Sequence, residues 1–95
     1  MRIVQESRLF KRDKRRIDRS GKYSSAMEKR FKPAVVALAN DEPLDSSYYD
    51  HTLKGEMKGL RECYILFDLL LVYRYVGDDV LLLERLNTHS EALGL

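Results

Sequence analysis

The spacing of apolar residues divides the chain into a helical first half and a strand-like second half. Before residue 40, apolar side chains recur every three or four positions, which places them on one face of a helix, as with Met27, Phe31, Val35 and Leu38. After residue 59, the apolar residues come in short runs bounded by turn residues, a pattern typical of buried strands. This order predicts an α+β domain with its helices on one side of a small sheet.

Two helices are expected in the first half. Ser7 is a suitable N-cap for a first, mostly exposed helix near residues 7–19, because its hydroxyl can accept a bond from a backbone N–H of the first turn. The capping-box pattern Ser25-x-x-Glu28 begins a second helix. Pro33 lies inside this second helix, which therefore either kinks there or restarts with the proline in its first turn.

Strands are expected on both sides of the helices. Ile3-Val4 indicates a short edge strand, and three later segments predict an antiparallel meander, over residues 60–65, 68–75 and 80–86. The middle segment is continuously apolar, so it should be central and covered on both faces. The element order is then β-α-α-β-β-β, with a polar connection over residues 41–56 and a last helical turn after Ser90.

Size and composition predict a single domain over residues 1–95. A chain of 95 residues builds one core, and no run approaches the ~18 apolar residues of a membrane helix. The N-terminal segment lacks the apolar core of a secretion signal. Cys63 is the only cysteine, so we expect no internal disulfide, no cysteine-based metal site, and the cytosol as the compartment.

Charge is distributed unevenly although the net charge is only +2. Residues 1–40 carry twelve Lys or Arg against four Asp or Glu, a balance of +8, and the remainder carries five against eleven, a balance of −6. Such asymmetry favours a polyanion or an acidic protein as partner. The densest stretch predicts an RNA-binding surface, although a solvated helix face would give the same run: Lys11, Arg12, Lys14, Arg15 and Arg16.

Acid–base residues flank the predicted strands. In an antiparallel meander the start of one strand lies beside the end of the next, so Asp68, Arg85 and His89 should cluster. Tyr64 lies near the same turn, and His51 enters on the preceding loop. A base, an acid and a fixed cation are what cleavage of RNA through its 2′-OH requires. The two histidines and one cysteine lack zinc-ligand spacing, and the carboxylates are too few to hold Mg²⁺ well.

Each of these residues also has a plain structural interpretation. His51 in a polar loop would be a surface histidine, and His89 would be a helix cap or turn residue. Asp68 would be a turn residue, and Arg85 would cover a sheet face with its aliphatic stem. Residue types alone therefore predict a small α+β domain and leave its RNA chemistry open.

Several short motifs follow one another at fixed gaps. They are Asp50-His51-x-Leu53-x-Gly55-x-x-Lys58-Gly59-x-Arg61-Glu62-Cys63, then Asp68-Leu69-Leu70-Leu71-Val72-Tyr73, Asp78-Asp79-Val80-Leu81 and Arg85-x-x-Thr88-His89-Ser90-Glu91. Two segments precede them, Ser7-x-x-Phe10-Lys11-Arg12-Asp13 and Leu38-Ala39-Asn40-x-Glu42-Pro43-Leu44. In this order they closely resemble the YafQ-type branch of the RelE superfamily, mRNA-cleaving toxins of bacterial type II toxin–antitoxin systems. The resemblance spans nearly the whole chain, with a small insertion around residues 22–33.

The resemblance implies a RelE-like fold and cleavage of mRNA in the ribosomal A site. Because a base, an acid and an arginine suffice for this cleavage, no cofactor or metal is expected. The resemblance also implies acid–base catalysis by His51, Asp68 and His89, charge stabilisation by Arg85, and a catalytic position for Tyr64. Further RNA contacts would come from Lys54, Lys58 and Arg61. The implied partners are the ribosome with its mRNA and a cognate antitoxin protein, through which alone the toxin would reach operator DNA. No membrane is implied.

The chain departs from the family pattern at histidine and aromatic positions. Tyr64 stands where the family usually has histidine, and a phenol, with an ordinary pKa of ~10, is a poor base at neutral pH. Leu93 replaces an aromatic residue, which removes one surface for base stacking. Further replacements are Met57 for Trp, Leu60 for Tyr and Phe67 for Pro. The alternative to an active enzyme is therefore a weak or inactive member that acts as an antitoxin-binding co-repressor or as an RNA-binding module.

Overall fold

The fold is a sheet with two helices packed on one face. The computed structural model describes residues 1–21, 24–53 and 59–88. Within these ranges the elements are β1 (Ile3–Glu6), α1 (Arg8–Ser20), α2 (Ser24–Ala39), a 3-10 turn (Ser46–Tyr48), β2 (His51–Thr52), β3 (Arg61–Leu66), β4 (Leu69–Val76) and β5 (Val80–Thr88). The five strands are ordered β1-β5-β4-β3-β2, with β1 parallel to β5 and the other pairings antiparallel. The predicted α+β class and mostly antiparallel sheet are confirmed.

Helix α1 begins after the predicted Ser7 cap and ends at Ser20, one residue beyond the predicted end. The Ser7 hydroxyl accepts a hydrogen bond from the Phe10 N–H at 2.9 Å, and Gly21 takes the left-handed conformation with φ of 66°. Phe10 and Ile17 are buried against the sheet. Asp13, on the same stripe of the helix, is also buried, which the charge pattern did not predict.

Helix α2 supplies most of the second layer of the core. It runs from Ser24 to Ala39 with Pro33 inside it, so it does not restart at the proline. Met27 and Leu38 are buried, and the other apolar residues of the predicted face, Phe31 and Val35, pack against the same cluster.

The meander is present, and its strands lie within one or two residues of the predicted bounds. All residues of β4 from Leu69 to Tyr73 are buried, as a central strand requires. A β-bulge next to Val72 makes Glu84 an extra residue on β5. The prediction of a polar connection without strands over residues 41–56 was wrong at one point, because His51–Thr52 forms β2 on the edge of β3. A two-residue strand carries too little alternation to be recognised in a sequence.

No helix in the described ranges has the length and hydropathy of a membrane span. The predicted C-terminal helical turn after Ser90 lies outside the described residues.

Candidate functional site

The site is built on the sheet face that lies opposite the helices. Cross-strand pairing joins His51 to Glu62 and Val72 to both Glu62 and Arg85, so these four residues form one row. Paired residues of neighbouring strands point to the same face. A second row two residues further along consists of Tyr64, Leu70 and Asn87. The opposite face carries the core, including Cys63, Leu71 and Leu83 with residues of both helices. His51, Tyr64 and Arg85 therefore share one face.

His51 is held through both of its ring nitrogens. Nδ1 contacts the Tyr49 carbonyl oxygen, and Nε2 lies 3.3 Å from Oε1 of Glu62. Both partners are hydrogen-bond acceptors, so only the imidazolium can donate to the two at once. The ring is nearly half exposed, at 45%, and therefore reaches both solvent and the anchoring carboxylate.

A polar network fixes the strand that carries His51. Asp50 accepts a hydrogen bond from Nη2 of Arg61 at 3.0 Å and another from the Tyr73 hydroxyl. Arg61 Nε also donates to that hydroxyl, at 3.1 Å. The hydrogen bond to Asp50 raises the pKa of Arg61, and burial followed by the bond to Asp50 raises the pKa of Tyr73. Arg61, predicted as an RNA contact, thus uses these donors to position β2.

Tyr64 and Asp68 lie at the end of the sheet where β3 turns into β4. The Tyr64 ring meets Tyr49 edge to face, with ring centres 6.0 Å apart and planes at 72°. Asp68 sits in the two-residue turn after Leu66. The next residue, Leu69, pairs with Thr88 at the end of β5. Asp68 and the end of β5 are therefore neighbours, as the meander predicted, while His89 lies outside the described residues.

Arg85 stands further from the other site residues than the sequence suggested. It pairs with Val72, four residues beyond Asp68, which corresponds to about 13 Å along a strand. Three strand spacings, about 14 Å, separate its backbone from that of His51. The structure thus brings His51 and Tyr64 together around Tyr49. The Arg85 guanidinium instead contacts Asp13 of α1, on the side of β5 that faces away from β2.

Arg85 is oriented by a residue that sequence reasoning missed. Asp13 of α1 is only 1% exposed and accepts from Arg85 Nε at 2.8 Å and from the Leu86 N–H at 3.0 Å. Burial disfavours the charged carboxylate, but the bonds from Arg85 and Leu86 outweigh it and hold the pKa of Asp13 below its ordinary value. The available signal was its place between Phe10 and Ile17 on the apolar stripe.

The predicted basic surface lies along α1. Four of its members are exposed, namely Lys11, Arg12, Arg15 and Arg16, and Arg16 also approaches Asp13 at 3.5 Å. Lys14 is partly buried and pairs with Asp18 at 2.8 Å. Two further predicted RNA contacts, Lys54 and Lys58, lie outside the described residues. Within residues 1–21, 24–53 and 59–88, no group of three or more His, Cys, Asp or Glu is arranged to hold a metal ion.

Comparison with known sequences identifies the family. The family described as bacterial toxin of type II toxin-antitoxin system, YafQ, matches residues 2–94. The mRNA interferase toxin YafQ of Escherichia coli K12 is 33% identical over 90 residues, which cover 84% of this chain and 97% of that protein. A YafQ-type protein of Haemophilus influenzae is 48% identical over 61 residues, which span 61% of this chain and 60% of that relative's length.

Solved structures share the fold over almost the whole chain. A copper-bound mutant toxin from Helicobacter pylori is 37% identical, covers 96% of this chain and 98% of its own, and superposes with a TM-score of 0.82. YafQ from E. coli BL21(DE3) is 27% identical, covers 99% and 100%, and also has a TM-score of 0.82. The E. coli DinJ–YafQ complex gives 28% identity, coverage of 96% and 97%, and a TM-score of 0.80. This chain therefore belongs to the YafQ family of toxins of bacterial type II toxin–antitoxin systems.

Proposed function

We propose that this toxin is an endoribonuclease that cleaves mRNA on the ribosome by attack of a ribose 2′-OH on the neighbouring phosphorus. The O2′–P bond forms, the P–O5′ bond breaks, and a 2′,3′-cyclic phosphate remains. A base takes the proton of the 2′-OH, and an acid gives a proton to the leaving O5′. The relatives named mRNA interferase toxin YafQ support this reaction class.

The observation that carries the proposal is the common sheet face of His51, Tyr64 and Arg85. When protonated, His51 is held by Glu62 and the Tyr49 carbonyl and is suited to donate a proton. Tyr64 supplies a phenol, whose O–H can donate a proton and so suits the acid role. Asp68 and His89 remain the proposed candidates for the other proton transfer.

Arg85 is proposed to neutralise the negative charge that builds on the phosphorane. A guanidinium has five N–H donors in a planar fork that matches phosphate oxygens. Asp13 accepts from Nε and Nη2, which fixes the plane of the group without removing its positive charge. Protein acid–base groups and this cation make up the proposed catalytic set, so the reaction should need no metal or other cofactor.

The proposed partners are the ribosome with its mRNA and a cognate antitoxin. The exposed arginines and lysines of α1 suit phosphate groups of ribosomal RNA, and Lys54 and Lys58 are proposed as further contacts. The E. coli relative forms the DinJ–YafQ complex, and we infer a corresponding antitoxin for this chain, through which it would reach operator DNA. Action on ribosomes places the proposed site of action in the cytoplasm.

The test is expression in bacteria without the antitoxin, followed by mapping of mRNA 5′ ends. Wild type should arrest growth and leave new ends within translated codons, and His51→Ala, Arg85→Ala and His89→Ala should not. Thr52→Ala is the matched control, because Thr52 is the exposed neighbour of His51 on β2. Cleavage of mRNA on purified ribosomes against free mRNA then tests ribosome dependence. Toxin treated with EDTA and freed of the chelator before it meets the ribosomes tests whether it needs a tightly bound metal. If wild type leaves growth and transcripts untouched, the enzyme proposal fails, whereas equal cleavage by wild type and His51→Ala would remove His51 from the catalytic set.

A second candidate function rests on Tyr64. A phenol in place of an imidazole weakens proton abstraction at neutral pH, which favours a non-cutting member that binds its antitoxin as a co-repressor or binds RNA. Tyr64→His separates the two functions. An active but weakened enzyme should gain cleavage from this substitution, whereas wild type that binds antitoxin tightly and never cuts on ribosomes would support the binding module.

A further inference from the structure

An aromatic cleft opens beside the candidate site. Ser47, Tyr49, Tyr64 and Phe67 line a cavity of about 360 Å³. This volume falls within the range of about 300–1,000 Å³ that is usual for small-molecule sites. Of these four lining residues within the described ranges, three are aromatic, and the three rings come from different segments of the chain.

Two of the three rings of this cleft are highly exposed to solvent. Tyr49 is 71% exposed, and Phe67, in the turn between β3 and β4, is 91% exposed. Turns favour glycine, proline and small polar residues, so a phenylalanine at the tip contributes neither turn chemistry nor burial. Neighbouring exposed aromatic rings of this kind mark binding surfaces more often than isolated apolar residues do.

Side-chain contacts beneath the cleft hold its walls in place. Arg30 of α2 donates from Nε to the Ile65 carbonyl at 2.8 Å and from Nη2 to the Tyr64 carbonyl at 3.2 Å. Its Nη1 donates to the Ser47 hydroxyl at 2.9 Å, and the guanidinium lies 3.8 Å from the centre of the Tyr48 ring. One arginine therefore ties the segment that carries Ser47 and Tyr49 to β3, which pre-organises the opening.

The cleft is continuous with the residues assigned to proton transfer. The Tyr49 carbonyl contacts Nδ1 of His51, Tyr64 is itself a site residue, and Phe67 directly precedes Asp68. A ligand seated between these rings would stand next to the scissile linkage. The occupant must then be part of the RNA, and a base has a flat π-face that stacks on aromatic side chains whatever its identity.

We propose that Tyr49, Tyr64 and Phe67 form a nucleobase-binding subsite, which takes one unpaired base of single-stranded RNA adjacent to the cleaved linkage. The location of this subsite next to the cleaved linkage rests on the proposed function. The inference adds which part of the substrate, one unpaired base, binds there. It also gives stacking surfaces to a chain in which Leu93 stands where the family pattern has an aromatic residue. Because stacking tolerates every base, the subsite orients the chain and discriminates little between sequences.

Binding to a short oligoribonucleotide with a 2′-deoxy sugar at the cut position tests the subsite without cleavage. Phe67→Ala and Tyr49→Ala should each weaken binding about 5- to 150-fold, the range given by loss of one stacked base. Phe67→Trp should bind like wild type. An oligomer with an abasic nucleotide at the stacked position should bind wild type and Phe67→Ala equally. Val36→Ala is the control, because Val36 is an exposed apolar residue on α2.

The outcomes separate this subsite from the enzyme proposal. If wild type never cuts on ribosomes yet loses affinity for the abasic oligomer, the enzyme proposal fails and the subsite stands. If Phe67→Ala and Tyr49→Ala bind both oligomers as wild type does, the subsite is overturned even when mRNA is cleaved. Loss of antitoxin binding without loss of RNA binding in Phe67→Ala would likewise overturn it, because the cleft would then belong to a protein partner.

Discussion

Asp13 and Arg85, 72 residues apart in sequence, form a paired contact at the edge of the sheet, with Arg85 Nε 2.8 Å from Oδ2 and Nη2 3.3 Å from Oδ1 of the aspartate. Strand β1 pairs with β5 only as far as Leu83. Beyond Leu83, Asp13 accepts a hydrogen bond from the Leu86 N–H. This N–H lies on the edge of the sheet, where no neighbouring strand in the described ranges accepts its hydrogen bond. The contact therefore closes the sheet edge and joins the basic helix to the proposed phosphate-binding residue.

Removal of the Asp13 carboxylate should destabilise the fold. Asp13→Ala leaves Arg85 and the Leu86 N–H without this acceptor, and we expect a loss of about 2–3 kcal/mol, less than for a fully buried ion pair because the Arg85 side chain is 35% exposed. Urea unfolding measures the loss. Asp18→Ala is the control, since its ion pair with Lys14 is exposed and should contribute under about 1 kcal/mol. Equal losses in the two variants would contradict this account.

The stabilisation by Asp13 should depend on pH in one direction. Its pKa is lower in the folded protein than its ordinary value, so folding favours the carboxylate. The contribution is complete above the unfolded pKa of about 3.9 and disappears as the pH falls through the lower folded value. Urea midpoints of wild type and Asp13→Asn should thus differ at pH 7 and converge below about pH 4. A difference that stays constant from pH 7 to pH 3 would show that the charge is not responsible.

The Tyr73 hydroxyl should matter more than that of its neighbour Tyr75. Tyr73 is fully buried, and its hydroxyl donates to Asp50 and accepts from Arg61. Tyr73→Phe should cost about 1–3 kcal/mol of unfolding free energy, because both partners lose a buried bond. Tyr75→Phe removes only a 3.3 Å bond to the Leu38 carbonyl and serves as the matched control. If the two variants unfold at the same urea concentration, the network around Asp50 is not stabilising.

The Cys63 thiol should be inert in the folded protein. Cys63 is completely buried, and burial, followed by the nearby charges of Asp50 and Glu62, raises its pKa to about 12. Only the thiolate reacts readily with disulfide reagents. A thiol-reactive dye should therefore label the native protein at pH 7 at least 100-fold more slowly than the urea-unfolded chain, on the order of the protection that burial gives. Rapid labelling of the native state would show that β3 opens locally.

Sequence periodicity predicted the elements that bury a regular stripe and missed what depends on tertiary contacts. Helix α1, with its Ser7 cap, was recognisable because caps and stripes are local. Asp13 was not, because a buried carboxylate is stable only beside a guanidinium that arrives from the far end of the chain. Strand β2 was not predicted for a related reason. Asp50, which directly precedes β2, is held by Arg61 and Tyr73 of other strands and not by residues of its own segment.

In the candidate site too, the sequence indicated some residues, and the contacts that depend on the fold were not predictable. Motif order indicated His51, Tyr64 and Arg85, and the shared sheet face of these three residues followed from strand register. The contacts of the His51 ring with Glu62 and with the Tyr49 carbonyl were not predicted. They depend on the pairing of β2 with β3, which decides which groups lie beside the two ring nitrogens. The bulge at Glu84 could not be predicted either, and it shifts every residue after it on β5 by one position.

Salt dependence of ribosome binding should distinguish the cations of α1 from one another. Arg12 and Arg15 are exposed, whereas Lys14 is already paired with Asp18. Removing one cation that binds a phosphate should lower the slope of log K against log salt by about 0.7–0.9, because fewer counterions are released on binding. Arg12→Ala and Arg15→Ala should show this decrease, and Lys14→Ala should show less, because Asp18 already neutralises much of its charge. Identical slopes for all three variants and wild type would show that these cations of α1 do not bind phosphates of the ribosomal RNA.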